Sequence, residues 1–149
     1  MILDQFQLNG KVALVTGAGR GLGQGAALGF AEAGADLALV DLISTEETAQ
    51  CVRALGRRAC QIQANLLERA AVQRIVDSTV KELGGIDILL NNAGIIRRAP
   101  LLDFTEKDWD EVIQINESAT RLYSRLQIYA TCSAASARSS GRRGRDGRA

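Results

Sequence analysis

Four short segments typical of strands alternate with segments of helical periodicity along the first hundred residues of the chain. They are KVALVTG (11–17), DLALVD (36–41), RACQIQAN (58–65) and IDILLNNAG (86–94). Each is long enough for one buried strand, and the stretches between them can hold a crossover helix. Strands that alternate with helices predict βαβ units, because parallel neighbours need crossover connections over the faces of the sheet. The chain is therefore expected to be an α/β protein built on a parallel sheet.

The helical segments are expected to cover both faces of this sheet. We predict helices over 21–35, 44–56, 68–85 and 104–116. The residues expected to face inward are Leu22, Ala26, Phe30 and Ala33 in the first helix, Val72, Ile75, Val76, Val80 and Leu83 in the third, and Trp109, Val112 and Ile113 in the last. The expected caps are Gly34 after the first helix, a Ser44–Glu47 capping box before the second and Thr105 before the last.

Composition excludes several classes of function. The chain has no histidine, which excludes Ser-His-Asp and Cys-His catalysis and histidine-bound metals. Cys51, Cys60 and Cys132 are widely spaced and form no CxxC pair, so we predict neither a disulfide framework nor a metal site. No apolar run approaches the roughly 20 residues that span a bilayer, and Asp4 stands where a secretory signal would be basic or apolar. We expect a cytoplasmic protein with no membrane partner.

The stretch TGAGRGLG (16–23) follows the first strand and opens the first helix, which is the context that a dinucleotide-binding glycine motif requires. Gly17 permits the tight turn, Gly21 lets the backbone approach a pyrophosphate, and Gly23 allows close packing of the helix. Free N–H groups at the helix N-terminus favour an anion there. The alternative is an ordinary glycine loop, and the flanking strand and helix argue against it.

Asp41 ends the second strand 18 residues after Gly23. A carboxylate at this place can accept hydrogen bonds from the adenosine ribose hydroxyls. A 2′-phosphate would meet a like charge, so the predicted cofactor is NAD rather than NADP. Arg20 is a counter-signal, because a guanidinium in the glycine loop could reach such a phosphate. Asp41 weighs more, since its repulsion must be overcome first.

The order and spacing of TGAGRGLG, Asp41, NNAG (91–94) and IQIN ending at Asn116 resemble the short-chain dehydrogenase/reductase family over residues 8 to about 117. The resemblance implies a Rossmann-type doubly wound parallel sheet, here incomplete after the fourth strand and fifth helix. The stretch 91–116 is most similar to NAD-dependent 2-deoxy-D-gluconate 3-dehydrogenases and 2-dehydro-3-deoxy-D-gluconate 5-dehydrogenases. It implies an oxidoreductase that interconverts a hydroxyl and a ketone on a sugar acid.

The resemblance also assigns roles to individual residues. The residues that would hold the cofactor phosphates are Gly17, Arg20, Gly21, Leu22 and Gly23. Asp41 would bind the ribose, and Asn65 with Leu66 the adenine, although the family usually has Asp where Asn65 stands. The residues that would line the cofactor cleft are Asn92, Ala93 and Gly94, with Asn91 bracing the fourth strand. Asn116 is the one catalytic residue assigned, as the support of a water linked to the family's lysine; without the other motifs, a plain turn would explain Asn91 and Asn92.

Two catalytic parts of the family pattern are missing. The family has a serine on a fifth strand and a Tyr-x-x-x-Lys pair on the next helix, and its tyrosine exchanges a proton with the substrate while hydride passes to or from the cofactor. Here Tyr123 is followed four residues later by Gln127 and Tyr129 by Ser133, and the last lysine is Lys107. We expect the chain to be inactive alone, and the alternative function is an NAD-binding fragment without catalysis.

Composition changes at residue 118. Residues 1–117 carry 11 basic and 16 acidic side chains, whereas 118–149 carry 7 and 1. We predict an NAD-binding portion over 1–117 and a divergent Arg-, Ser-, Ala- and Gly-rich tail over 118–149, partly helical and then disordered. A reading-frame change in a GC-rich coding sequence would give such a tail. The rival is a nucleic-acid-binding tail, against which stands the lack of aromatic residues over 131–149.

The incomplete fold has consequences for stability and assembly. An unpaired fourth strand would leave an apolar sheet edge, which predicts marginal stability and aggregation. The resemblance implies a homo-oligomer, but relatives assemble through their fifth and sixth helices, and one of these is missing. The sequence therefore leaves the oligomeric state open.

Overall fold

All four predicted strands are present in the computed structural model, which describes residues 2–120 and 124. They are β1 (Val12–Thr16), β2 (Asp36–Asp41), β3 (Ala59–Gln63) and β4 (Ile88–Leu90). The strands are parallel and lie in the order β3-β2-β1-β4. The predicted disorder and nucleic-acid role of the tail concern residues that, apart from 118–120 and 124, lie outside the described part of the chain.

In the described part of the chain, four α-helices accompany the strands. They are α1 (Gly21–Glu32), α2 (Glu46–Ala54), α3 (Arg69–Leu83) and α4 (Glu106–Ile113), and a π-helical segment, Gln114–Ala119, continues α4 directly. Short 3-10 turns occupy Ile2–Phe6 and Leu101–Asp103. The helix predicted over 104–116 is present and was counted above as the fifth, but it is the fourth α-helix of the described residues, because four parallel strands are joined by three crossovers that carry one helix each.

The helices cover both faces of the sheet, as a doubly wound fold requires. On one face, α3 packs Val72 and Ile75 against Leu14 of β1 and Val40 of β2. On the other face, α1 and α2 pack small and branched residues, including Ala27 and Val52, against the alternate residues of the same strands. Parallel strands buried on both faces read as continuous apolar runs, which is why β1 and β2 were predicted accurately.

The inward face of α1 differs from the prediction. Leu22 is 87% exposed, and the buried residues of the helix are Gly23, Ala27 and Ala31. Gly34 ends the helix with a φ of 108°, as predicted. Small residues face the sheet because α1 begins right beside the end of β1: a Cβ atom on Gly23 would collide with the carbonyl oxygen of Gly17. The close approach of α1 to β1, rather than the size of its apolar side chains, determines which face of the helix is buried.

The predicted capping box of α2 is not formed. The helix begins at Glu46, one residue after the N-cap Thr45, and Ser44 Oγ accepts a hydrogen bond from Glu46 N at 3.3 Å. The Thr45 hydroxyl is buried and donates to Gln61 Oε1 of β3 at 3.2 Å. Thr45 takes the N-cap position, and its hydroxyl bonds the sheet instead of the first turn of the helix.

The last strand and helix are less buried than predicted. All three residues of β4 are half-buried, and β4 is an edge strand among the described residues. In α4, Thr105 is the N-cap as predicted and accepts from Asp108 N at 3.1 Å. Trp109 and Ile113, expected to face inward, are 60% and 36% exposed. The described residues supply no layer over this side of α4, so its apolar face stays open.

Candidate functional site

The predicted site lies where the strand order reverses. The chain runs from β1 outward to β2 and β3 and then returns to the opposite side of β1 for β4. In open parallel sheets, ligands bind in the crevice beyond the carboxyl ends of the two strands that flank such a switch point. The loops that leave β1 and β4 here are residues 17–20 and 91–100. The fold therefore brings the glycine motif and the NNAG motif to one crevice.

Gly17 and Asn92 join these two loops. Asn92 Nδ2 donates to the carbonyl oxygens of Thr16 and Gly17, at 3.1 and 3.2 Å. Gly17 has a φ of 69°, and a Cβ atom there would lie 2.8 Å from Asn92 Nδ2 and 3.0 Å from Ala93 Cα. Only glycine fits this turn, because a side chain would separate the loops.

Thr16 is a residue of the site that sequence reasoning missed. Its buried hydroxyl donates to the Leu90 carbonyl oxygen at 3.4 Å and accepts from the backbone N–H groups of Asn92 and Ala93, each at 3.1 Å. One hydroxyl thus uses its donor and both acceptor positions to lock the end of β1 to the end of β4. A buried threonine at the last position of an otherwise aliphatic strand was the available signal.

The start of α1 offers an uncapped helix N-terminus. Arg20 is the N-cap residue and makes no side-chain capping hydrogen bond, and Gly21 has a φ of 61°. Both Arg20 and Leu22 are exposed. The first N–H groups of a helix have no partner within it, and the helix dipole makes this end positive. The geometry suits an anion with oxygens on several sides, such as a phosphate.

Asp41 lies at the end of β2, beside the glycine loop. Its Oδ2 accepts from Gly19 N at 2.8 Å, and its Oδ1 accepts from Ile43 N at 3.2 Å. A carboxylate has about four lone-pair positions, so one position remains on each oxygen after these two bonds. The two remaining positions can accept from two neighbouring hydroxyls, which is the donor pattern of a ribose.

Asn65 and Leu66, predicted to bind adenine, follow β3. Asn65 Oδ1 accepts from Leu67 N at 3.1 Å, and the Asn65 carbonyl oxygen accepts from Glu68 N at 3.1 Å. Leu66 is half-buried and packs against the core layer under α3. Both oxygens of Asn65 therefore accept hydrogen bonds within the turn that follows β3. Leu66 is partly buried against the core at the same edge of the sheet.

Asn116 and Gly94 are brought together by the π-helical segment. Asn116 Oδ1 accepts from Ile95 N at 2.9 Å, and Asn116 Nδ2 donates to the Ile95 carbonyl oxygen at 3.0 Å. A Cβ atom on Gly94 would lie 3.2 Å from Asn116 Oδ1. The side chain predicted to be catalytic therefore holds the loop that follows β4. Single π-helical turns are frequent at functional sites.

Three further observations on the described residues concern Asn91, metal-binding groups and membrane-spanning helices. Asn91 Nδ2 donates to Ser124 Oγ at 3.3 Å, which links the end of β4 to Ser124. No cluster of three cysteine, aspartate or glutamate side chains that could hold a metal ion occurs among the residues described. Within the same part of the chain, no helix is long and apolar enough to cross a membrane.

Comparisons with known proteins agree with this geometry. The family model for short chain dehydrogenases matches residues 11–141. The 2-dehydro-3-deoxy-D-gluconate 5-dehydrogenase of Escherichia coli K12 is 50% identical over 116 residues, which cover 78% of this chain and 46% of the relative. The chain thus spans about half the length of that curated relative.

Two crystal structures show the same fold. A short-chain dehydrogenase/reductase from Mycobacterium marinum matches with a TM-score of 0.83 and 33% identity, over 87% of this chain and 53% of that one. A protein from Agrobacterium tumefaciens, provisionally assigned as a 2-deoxy-D-gluconate 3-dehydrogenase and holding NADP, matches with a TM-score of 0.74 and 37% identity, over 84% and 49%. The chain belongs to the short-chain dehydrogenase family of oxidoreductases, and it covers roughly the first half of the fold.

Proposed function

We propose that this chain binds NAD in the crevice between the β1 and β4 loops, as the cofactor-binding portion of an oxidoreductase that interconverts a hydroxyl and a ketone on a sugar acid. The observation that carries the proposal is the pairing of an uncapped helix N-terminus at Gly21 with the Asp41 carboxylate, which keeps one acceptor position on each oxygen. A dinucleotide needs both an anion site and a ribose site, and these two lie on neighbouring loops.

Each part of the nucleotide is assigned to a different loop of the crevice. The phosphates would lie against the residues of the glycine motif, Gly17, Arg20, Gly21, Leu22 and Gly23. Asp41 would accept from the ribose hydroxyls, and Asn65 and Leu66 would flank the adenine. The nicotinamide half would lie along Asn92, Ala93 and Gly94 in the loop that follows β4. The next residue of this loop, Ile95, is held by two hydrogen bonds from its backbone to the Asn116 side chain.

The preference for NAD over NADP is the finer part of the proposal. A 2′-phosphate beside Asp41 would place two negative groups within a few ångströms of each other. The exposed guanidinium of Arg20 supports the opposite preference, as does the NADP held by the Agrobacterium tumefaciens relative. We favour NAD because the Asp41 carboxylate is held by two N–H groups, whereas the side chain of Arg20 makes no capping hydrogen bond at the helix N-terminus.

When bound, the nicotinamide ring supplies hydride transfer, and the residues of this chain bind, orient and shield the nucleotide. The sequence contains no Tyr-x-x-x-Lys pair after the cofactor motifs. General acid–base catalysis by one side chain contributes about 10² to 10⁴-fold in rate. We therefore propose that the 149-residue polypeptide binds NAD without measurable turnover. The sugar-acid substrate and the cytoplasmic location stay predictions.

Calorimetric titration with NAD and with NADP tests the cofactor proposal. The unmodified chain should bind NAD more tightly than NADP, and Asp41→Asn should reduce or reverse that preference because it removes the charge but keeps the side-chain size. Asp77→Asn is the matched control, since Asp77 lies exposed on α3 and bonds only its neighbour Gln73 among the contacts described. Failure of the unmodified chain to bind either nucleotide would refute the proposal.

A separate assay tests the absence of turnover. A polypeptide of verified mass is mixed with NAD and 2-dehydro-3-deoxygluconate, and absorbance of the reduced cofactor is followed. We expect no reduced cofactor above the rate without protein. Steady formation of reduced cofactor would show that other groups in this chain move the proton, and it would overturn the assignment of an NAD-binding portion without catalysis.

A further inference from the structure

Thr48 on α2 is a fully buried polar residue that the site described above does not use. Its side chain is 0% exposed. The hydroxyl donates to the Ala18 carbonyl oxygen at 2.8 Å and accepts from Gln24 Nε2 at 3.1 Å. Thr48 therefore connects α2 to the glycine loop and to α1. Because its donor and an acceptor position are both used, the hydroxyl has a fixed direction.

The carbonyl that Thr48 binds belongs to the same peptide group as the N–H that binds Asp41. Ala18 O accepts from Thr48 Oγ1, and Gly19 N donates to Asp41 Oδ2 at 2.8 Å. The rigid peptide plane between Ala18 and Gly19 is thus held at both ends. Rotation of this plane by half a turn would direct the Ala18 carbonyl oxygen at the Asp41 carboxylate, where two acceptors would repel each other.

The surroundings of this peptide leave it little freedom. Ala18 N donates to the Val40 carbonyl oxygen at 3.2 Å. A Cβ atom on Gly19 would lie 3.0 Å from Asp41 Oδ2 and 2.8 Å from Ile43 Cγ1. The second oxygen of Asp41 is held by Ile43 N. One of the two N–H groups that orient the carboxylate is therefore itself oriented by the Thr48 hydroxyl.

We propose that Thr48 is a positioning residue for cofactor selection: through the Ala18–Gly19 peptide it fixes the Asp41 carboxylate in the orientation that accepts ribose hydroxyls and opposes a 2′-phosphate. This inference rests on the proposed function, because it assumes a nicotinamide nucleotide at Asp41. Thr48 itself touches no cofactor in this scheme. Its effect passes through two hydrogen bonds and one peptide plane.

Thr48→Val and Thr48→Ser test this role. Valine keeps the shape and removes the hydroxyl, so NAD affinity should fall about five- to tenfold, the size expected for one lost hydrogen bond, while NADP affinity should change less. Serine keeps the hydroxyl and should retain the NAD preference within about twofold. Thr79→Val is the matched control, because Thr79 is equally buried but donates to Ile75 O within its own helix α3.

Amide hydrogen exchange at Gly19 gives a second readout that needs no cofactor. Thr48→Val should speed exchange of the Gly19 N–H relative to the unmodified chain, and Thr79→Val should not. If Thr48→Val does not melt cooperatively, Gln24→Ala replaces it, since losing the donor to Thr48 Oγ1 should also speed Gly19 exchange. Unchanged exchange, or an unchanged NAD-to-NADP ratio in a chain that binds NAD, overturns the role of Thr48. Lack of NAD binding by the unmodified chain instead overturns the proposed function.

Discussion

A Cβ atom on Gly23, in the first turn of α1, would collide with the carbonyl oxygen of Gly17 at the end of the glycine turn. Gly23→Ala must therefore move the helix away from β1. We expect a loss of about 1–3 kcal/mol in the free energy of unfolding, the cost of overpacking a tight contact, and loss of NAD binding. Urea denaturation and calorimetric titration measure the two effects.

Gly25→Ala is the control for this prediction. Gly25 is exposed in the same helix, its φ is not positive, and nothing lies within 4 Å of a Cβ atom built there. Alanine is the better helix former by about 1 kcal/mol, so this variant should be more stable and bind NAD unchanged. If both substitutions had the same effect, the close contact between Gly23 and Gly17 would not be what requires glycine.

The two hydrogen bonds between Asn116 and the Ile95 backbone predict different results for two substitutions. Asn116→Ala removes both bonds and should cost about 1 kcal/mol of stability. Asn116→Asp keeps an acceptor for Ile95 N but turns a carboxylate oxygen toward the Ile95 carbonyl oxygen, where Nδ2 donates at 3.0 Å in the native chain. At neutral pH it should therefore be the less stable of the two.

The pH dependence of the stability of these two variants distinguishes the effect of the introduced charge from the effect of the lost side chain. An introduced carboxyl group becomes protonated below about pH 4 and can then donate to the Ile95 carbonyl oxygen. The stability gap between Asn116→Asp and the unmodified chain should narrow as the pH falls, whereas the gap for Asn116→Ala should stay constant. Urea denaturation at several pH values measures both gaps. A constant gap for the aspartate variant would mean that its carboxyl group does not face Ile95.

β1 and β2 were predictable because their residues are buried on both faces, whereas the contacts of the site were not. Asp41 was placed correctly at the end of β2 by an apolar run that stops at a charge. The inward face of α1 was missed because Leu22 is exposed while Gly23 is buried, and a rule that counts bulky apolar residues cannot detect close packing through small ones. Bonds such as Thr48 to Ala18 join residues 30 apart and leave no local periodicity.

The two cysteines that the structure describes should differ in reactivity. Cys51 is exposed on α2, and Cys60 is buried in β3. Burial, together with the neighbouring Glu82 carboxylate, raises the pKa of the Cys60 thiol to about 12. Thiolates are the reactive form, so in a Cys132→Ser background a thiol reagent at pH 8 should label Cys51 quickly and Cys60 only after unfolding. Rapid labelling of Cys60 in the folded chain would contradict its burial.

The raised pKa of Cys60 also predicts a pH dependence of stability. The folded chain keeps the thiol neutral up to about pH 12, whereas an unfolded chain ionises it near pH 8.5. The contribution of the neutral thiol is therefore complete below pH 8.5 and decreases as the pH rises above it. Cys60→Ala lacks this contribution, so the stability difference between the native chain and this variant should shrink between pH 8 and 10. A stability difference that stays constant over this pH range would contradict the raised pKa of Cys60.

Arg58 joins the start of β3 to the end of α3, and we expect it to contribute more stability than Arg53, although both side chains are exposed. Its guanidinium pairs with Asp36 at 2.7 Å and donates to the carbonyl oxygens of Glu82 and Leu83, each at 3.3 Å. Cations at a helix C-terminus stabilise it, so Arg58→Ala should lower the free energy of unfolding by about 1–2 kcal/mol. Arg53→Ala removes an ion pair with Glu46 and a hydrogen bond to the Ala59 carbonyl oxygen, each at 3.5 Å, and should cost under about 0.5 kcal/mol. Equal losses in urea denaturation would mean that capping of α3 adds nothing beyond a surface ion pair.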